Sequence, residues 1–178
     1  MTLEPELYKF AIGHFASGVV IVTSVTSDGP VGMTCQSFFS VSLDPPMVAL
    51  SPSRASKSWP RIRRCGHFCA NILAEDQHPL AATFSISGID KFSHLAWSGS
   101  RATGSPILEG VLGWADCTIA SVAEAGDHYI VTARVVDVGV SDGRPLIYYR
   151  SRYSHVSRER DSVASRRRAR QDRRLRLR

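Results

Sequence analysis

The chain has 178 residues, enough for one domain with a full hydrophobic core and short for two. With 43% hydrophobic and 21% charged residues its composition is that of an ordinary globular protein, and no apolar run is long enough to cross a bilayer as a helix. The net charge of +6 is localised: residues 157–178, "SRERDSVASRRRARQDRRLRLR", hold ten Arg against Glu159, Asp161 and Asp172, which leaves −1 for residues 1–156.

A nearly neutral body with a basic appendage argues against nucleic-acid binding as the main function, and no aromatic residue interleaves with the Arg to stack on bases. Residues 1–156 are therefore expected to form one domain, and residues 157–178 an Arg-rich tail too poor in apolar side chains to offset the entropy of ordering. The start, "MTLEPELYKFAIGHF", places acids before its apolar residues and lacks the basic start and small-residue cleavage site of a signal peptide, so a cytoplasmic protein is expected.

Along the chain, Leu7, Phe10, Ala11, His14 and Phe15 recur at spacings of three and four. This predicts an amphipathic helix over residues 4–15 that covers one face of the body. Residues 17–42 give two β-rich runs around the turn Ser27-Asp28-Gly29-Pro30, an antiparallel hairpin, and Asp44-Pro45-Pro46 breaks the second run before the short strand "MVALS". Ser56 or Ser58 can cap a helix that stops at Gly66. "HFCANIL" follows as a strand, "EDQHPLAATF" as a short helix, and residues 85–106 as a polar loop. Two long strands then meet at Ala125-Gly126-Asp127, and "PLIYYR" forms another after the turn at Asp142-Gly143. Six or seven antiparallel strands with short helices, and no regular alternation of the two, predict a small Greek-key barrel rather than a doubly wound sheet.

The four cysteines, Cys35, Cys65, Cys69 and Cys117, have no disulfide-framework spacing. Cys65, His67 and Cys69 suggest zinc, but no second ligand pair sits at finger spacing; reduced, mostly buried thiols and no metal are expected. The sequence contains no G-x-S-x-G, H-E-x-x-H, P-loop or Gly-rich nucleotide fingerprint, and the six His are scattered.

What stands out is a run of small hydroxyls. In "MTCQSFFS", residues 33–40, neither face alternates cleanly between apolar and polar. Its buried hydroxyls and amide need partners, because each left unpaired costs about 1–3 kcal/mol. "SPSRASKS", residues 51–58, adds four Ser with Arg54 and Lys57 ahead of a helix. Such a set suits a phosphate, and equally a series of Ser turns with a helix cap.

From about Phe10 to Tyr153, roughly 140 of 178 residues, the chain resembles the short-chain flavin reductase family. The matching segments, in the family's order, are "FASGVVIVT", "GPVGMTCQSFFSVSLDPPMVAL", "HFCANIL", "DKF", "GSPILEG", "EAGDHYIVTARVVDV" and "PLIYYRSRY". The resemblance implies a mainly β, FMN-binding split barrel with a few short flanking helices. It implies an NAD(P)H:flavin oxidoreductase that supplies reduced FAD or FMN to a separate flavin-dependent monooxygenase, using NADH or NADPH; a non-enzymatic flavin-binding module is the alternative. By the same resemblance Met33, Thr34, Cys35, Gln36 and Ser37 lie along the isoalloxazine ring and ribityl chain. Ser51, Pro52, Ser53, Ser56 and Lys57 take the ribityl and phosphate side, and Tyr153 completes the cofactor-binding set. Gly126, Asp127 and His128 match the Gly-Asp-His turn, with His128 the catalytic candidate beside the nicotinamide.

Many relatives carry "TASSF" where this chain has "TCQSF". Gln36 therefore offers a donor and an acceptor where Ser is usual. The variant resembles reductases serving hydroxylases of phenolic rings, steroid-derived ones included. Relatives are homodimers, and the tyrosines of "PLIYYRSRY" are the kind of surface found at interfaces.

Overall fold

Three hairpins and one short connection determine the architecture of the computed structural model, which describes residues 3–156. Helix α1 (Pro5–Ile12) and a two-residue strand β1 (Ser17–Gly18) precede β2 (Val20–Thr26) and β3 (Gly29–Cys35), the first hairpin. The second hairpin is β4 (Phe39–Leu43) with β5 (Pro46–Leu50). Helix α2 (Trp59–Cys65), strand β6 (His67–Ile72), a 3₁₀ turn at Glu75–Gln77, helix α3 (His78–Ser85) and the short pair β7 (Trp97–Gly99) and β8 (Pro106–Leu108) follow. The third hairpin joins two long strands, β9 (Gly113–Ala125) and β10 (His128–Val140), before β11 (Leu146–Tyr149) and β12 (Arg152–His155). The Arg-rich tail lies outside the described residues.

The main sheet has seven strands in the order β3-β2-β6-β9-β10-β5-β4, all antiparallel. Its two edge strands are consecutive in sequence, joined only by residues 36–38. Seven strands laid flat would place those edges nearly 30 Å apart, at ~4.8 Å per strand. The link from Cys35 to Phe39 spans at most ~14 Å. The sheet must therefore curl until its edges approach, and the result is a barrel with one unpaired seam, the split barrel expected. The single β-rich run expected after the Ser27–Pro30 turn, residues 31–42, is divided: the chain leaves one edge at Cys35 and begins the other at Phe39.

The barrel interior follows from period-two alternation. Val20 and Val22, Met33 and Cys35, Val48 and Leu50, Phe68 and Ala70, Ala115 and Cys117, and Val131 and Ala133 form one buried cluster, into which α2 inserts Trp59 and Ile62. The hydroxyl of Ser56 accepts a 3.1 Å hydrogen bond from Trp59 N, and Gly66, at φ 75°, ends the helix in the left-handed region. A second cluster, with Ile21, Leu73, Phe84, Leu108 and Leu146, packs α3 and the β11 strand against the outside of the sheet. Gly32 permits this packing, because a Cβ there would stand 2.7 Å from the Phe84 ring.

Two fully buried polar groups tie the long 86–108 segment to the barrel. Asn71 Nδ2 donates to Ile21 O, Thr23 Oγ1 and Pro106 O at 3.1–3.2 Å, and its Oδ1 accepts from Leu108 N at 2.9 Å. The Asp116 carboxylate accepts from Thr103 N at 3.0 Å and Thr103 Oγ1 at 2.6 Å.

The amphipathic helix differs from expectation. Helix α1 is shorter than residues 4–15 and has no buried residue: Leu7 is 59% exposed, Phe10 58% and, just beyond it, Phe15 81%. Its apolar side does not cover its own barrel. Strands β7 and β12 also fall outside the sequence reading, the first within the polar loop.

Replacing Asn71 by Leu leaves the Leu108 N–H and the Pro106 carbonyl without that partner in the core. Urea unfolding is expected to show a loss of about 2–4 kcal/mol.

Candidate active site

The seam opens into a cleft of about 600 Å³, within the usual range for cofactor sites of about 300–1,000 Å³. One wall is the end of β3 and the link to β4: Met33, Thr34, Cys35, Gln36 and Ser37. Facing it is the segment after β5, with Ser51, Pro52, Ser53 and Ser56, and His128 at the start of β10. The end of α3 and the loop beyond it complete the lining with Phe84, Ser85, Ser87 and Lys91.

One hydroxyl holds the two principal walls together. Ser37 Oγ accepts from Ser51 N at 2.8 Å and donates to Ser51 O at 3.1 Å, with the Cys35 thiol 3.1 Å away. It continues the β4–β5 register, in which Phe39 faces Ala49, into the link. Thr34 Oγ1 donates to Ala81 O at 2.6 Å and so fixes α3 to β3. Ser53 Oγ accepts from Ala55 N at 3.2 Å, and Ser56 Oγ lies 3.5 Å from Met33 Sδ. Most of the hydroxyls are thus engaged in building the cleft. Among the described residues, the side chains of Gln36, Ser51 and Ser58 have no such partner and remain for a ligand.

His128 is oriented by its neighbour. Its Nδ1 lies 2.7 Å from Asp127 Oδ1, and this contact holds the Asp127 carboxyl below the usual carboxylate range. With Nδ1 so engaged, Nε2 is the ring nitrogen left to meet a ligand. A backbone bridge between His128 and Ser53, together with Arg54 N donating to Asp127 O at 2.9 Å, fixes the hairpin to the cleft wall. On the opposite side Lys91 Nζ donates to Gly32 O at 3.1 Å and Phe84 O at 2.9 Å, and burial lowers its pKa.

The structure therefore brings together ten of the residues singled out by sequence: Met33, Thr34, Cys35, Gln36, Ser37, Ser51, Pro52, Ser53, Ser56 and His128. Lys57 lies outside this lining and borders an adjoining cleft. Gly126 and Asp127 form the hairpin tip, acting on the cleft through His128 and Arg54 rather than lining it. Tyr153 lines a different depression, between α1 and the β11–β12 hairpin. Sequence reasoning placed Ser58 in the hydroxyl set ahead of α2 but not among the cofactor contacts, and it missed Ala55, Phe84, Ser85, Ser87 and Lys91. Lys91 was within reach, since it is the middle residue of the "DKF" segment.

The cleft has the features a flavin requires. It has a long slot at a barrel seam, an amide (Gln36) free to meet a polar ring edge, and unpaired hydroxyls further along, but no metal-ligand cluster among the described residues. A flavin reductase like domain model matches residues 12–157. The reductase subunit HsaB of a flavin-dependent monooxygenase from Mycobacterium tuberculosis is 39% identical over 165 residues, 91% of this chain and 88% of that protein. The FMN reductase (NADH) SmoA of Agrobacterium fabrum is 38% identical, over 85% of this chain and 86% of its own. The NADH:FAD oxidoreductase SgcE6 of Streptomyces globisporus, solved in complex with NAD and FAD fragments, superposes with a TM-score of 0.84 at 26% identity, covering 90% and 99% of the two chains. A split barrel with a cleft along its seam defines the class, and the chain belongs to the flavin reductase like family.

The thiols offer a direct check on the cleft. Burial pushes the Cys35 thiol up, and burial together with the nearby Asp116 charge pushes Cys117 up to about 12 and Cys69 higher still. The thiolate is the reactive form, so raised values delay alkylation to higher pH. At pH 8 iodoacetamide is expected to label the half-exposed Cys65 well before Cys35, Cys69 and Cys117, as followed by mass spectrometry.

Proposed function

We propose that the chain is an NADH-dependent flavin reductase that works in the cytoplasm and supplies reduced flavin to a separate monooxygenase acting on phenolic or steroid-derived rings. The observation that carries this reading is the seam cleft of about 600 Å³, whose lining includes an oriented histidine, His128, and a free amide, Gln36. Membership of the flavin reductase like family supports it, as do relatives named as a monooxygenase reductase subunit and as NADH-dependent flavin oxidoreductases.

The two cofactors supply the redox chemistry, the nicotinamide passing a hydride to the flavin ring, which then leaves in reduced form. The protein's contribution is placement. Gln36 meets the polar edge of the ring, and the seam backbone at residues 33–37 lies along it. Ser51, Ser53 and Ser56 line the way to the phosphate, and the half-buried Lys91 stands at that side of the slot. His128, held by Asp127, presents Nε2 to the nicotinamide carboxamide. Stacking two rings in a fixed slot lowers the barrier without any nucleophile or paired carboxylate, and none is required here.

The same reading includes a homodimer. Helix α1 leaves Leu7 and Phe10 uncovered, and edge strand β4 turns Phe39, Val41 and Leu43 to solvent, the last 90% exposed. Apolar groups alternating along an unpaired edge are what a second copy would cover. Size-exclusion chromatography with light scattering is expected to give twice the mass of one chain, and Leu43→Asp to shift that mass towards one.

The activity test is NADH oxidation at 340 nm with added FAD, FMN or riboflavin. Turnover that depends on added flavin is the expected result; none with any flavin would reject the reading. His128→Ala is expected to raise the KM for NADH about tenfold, the size of one lost hydrogen bond, with a smaller effect on flavin binding.

A further inference from the structure

His128 lines the cleft, and the strand that carries it is gripped from its other face. Neighbouring residues of a strand point to opposite sides, and Tyr129, next to His128, packs half-buried against the barrel core, its ring 6.3 Å from that of Trp59. Two guanidinium groups reach the same ring: Cζ of Arg54 and Cζ of Arg63 each lie 5.8 Å from its centroid, within range of a cation–π contact. Arg54 comes from the cleft wall after β5, Arg63 from α2. Arg54 Nη1 also donates to Glu124 Oε2 at 3.4 Å, and Glu124 is the residue facing Tyr129 across the β9–β10 ladder. Both strands of the hairpin are thus tied to the same pair of cations.

The backbone bonds at the hairpin tip run to residues 52–54: Tyr129 N donates to Pro52 O and Arg54 N to Asp127 O, each at 2.9 Å, beside the Ser53–His128 bridge. Those residues belong to the connection between β5 and α2, not to a helix or a long strand. Helix α2 is the rigid element within reach, since its Trp59 and Ile62 are sunk in the core, and a functional side chain is held more precisely by a packed element than by a loop. We infer that Arg63, with Arg54, is a positioning residue for His128, acting through the Tyr129 ring. This role rests on the reductase reading above, which assigns His128 to the nicotinamide. Arg63 is the cleaner of the two cations to examine: it is exposed, and among the described residues its guanidinium makes no hydrogen bond or ion pair, so the ring contact is what its replacement removes.

The test is a double-mutant cycle in the full chain with Arg63→Gln, His128→Ala and the two combined, read as the KM for NADH at saturating flavin. Arg63→Gln is expected to raise that KM about threefold, with kcat, flavin affinity and the thermal midpoint unchanged, and to add nothing further once His128 is replaced. Arg63→Lys keeps a cation at the ring and Tyr129→Phe keeps the ring, so both are expected to stay near the parent. A rise that persists in the His128→Ala background would overturn the inference, because Arg63 would then act on the cofactor itself; an unchanged KM would overturn it too. The His128 imidazole resonances, identified by difference from His128→Ala, give a readout that needs no turnover. They are expected to shift in Arg63→Gln and equally in Tyr129→Leu, which removes the ring but no charge, and to return in Arg63→Lys. A parent that shows these shifts yet never oxidises NADH would reject the reductase reading and retain the positioning role; resonances that do not move would overturn that role whatever the activity.

Discussion

The structure depends on the short crossing at residues 36–38. Two strands adjacent in sequence occupy opposite edges of a seven-stranded sheet, and so short a tether permits no flat arrangement. Curling brings the edges close without pairing their backbones, and the unpaired stretch opens into the cleft lined by Met33 to Ser37. Barrel closure and site formation are one event. Ser37 lies in that crossing, and its hydroxyl bonds both the N–H and the carbonyl of Ser51, carrying the β4–β5 pairing one step into the link.

The surrounding structure supports that seam. Phe84 presses against Gly32 from outside the barrel. Thr34 and Lys91 tie both ends of the α3 region to β3. Asn71 and Asp116, fully buried with every strong partner made, hold the segment between α3 and β9 against the sheet. Buried polar groups of this kind are costly when left unpaired and directional when satisfied. They fix where the loop bearing Lys91 lies, which a purely apolar contact would leave looser.

Much of this was legible in the sequence because its signals are local. The turns at Gly29 and Gly126, the stop at Gly66 and the period-two apolar positions of β2, β5, β6 and β10 each depend on a few neighbouring residues. The division between β3 and β4 was not read, although its trace was visible: "MTCQSFFS" fails to alternate because it is two strands and a crossing. Exposure of α1 could not be read from periodicity, which reports that a face is apolar and not what covers it. The hydroxyls were correctly marked as needing partners, but whether Thr34 and Ser37 meet protein or ligand depends on Ala81, brought in by long-range topology, and on Ser51, brought in by the β4–β5 hairpin. Lys57 and Lys91 exchanged places relative to the flavin slot for the same reason, since charge in a motif does not say which side of a loop it faces.

The crossing also has a consequence for folding. The tether keeps its two ends within ~14 Å in any register, so closure rests on the six ladders between β3 and β4, and each single-residue slip would move one edge by about 3.4 Å along the strand axis and reverse the faces. The Ser37–Ser51 contact continues the β4–β5 register, in which Phe39 faces Ala49, and reports on that hairpin alone. The two edges meet at the seam only if all six offsets sum to nothing, so the seam gauges the whole sheet. A barrel misaligned at β6 or β9 would show its error first in the cleft.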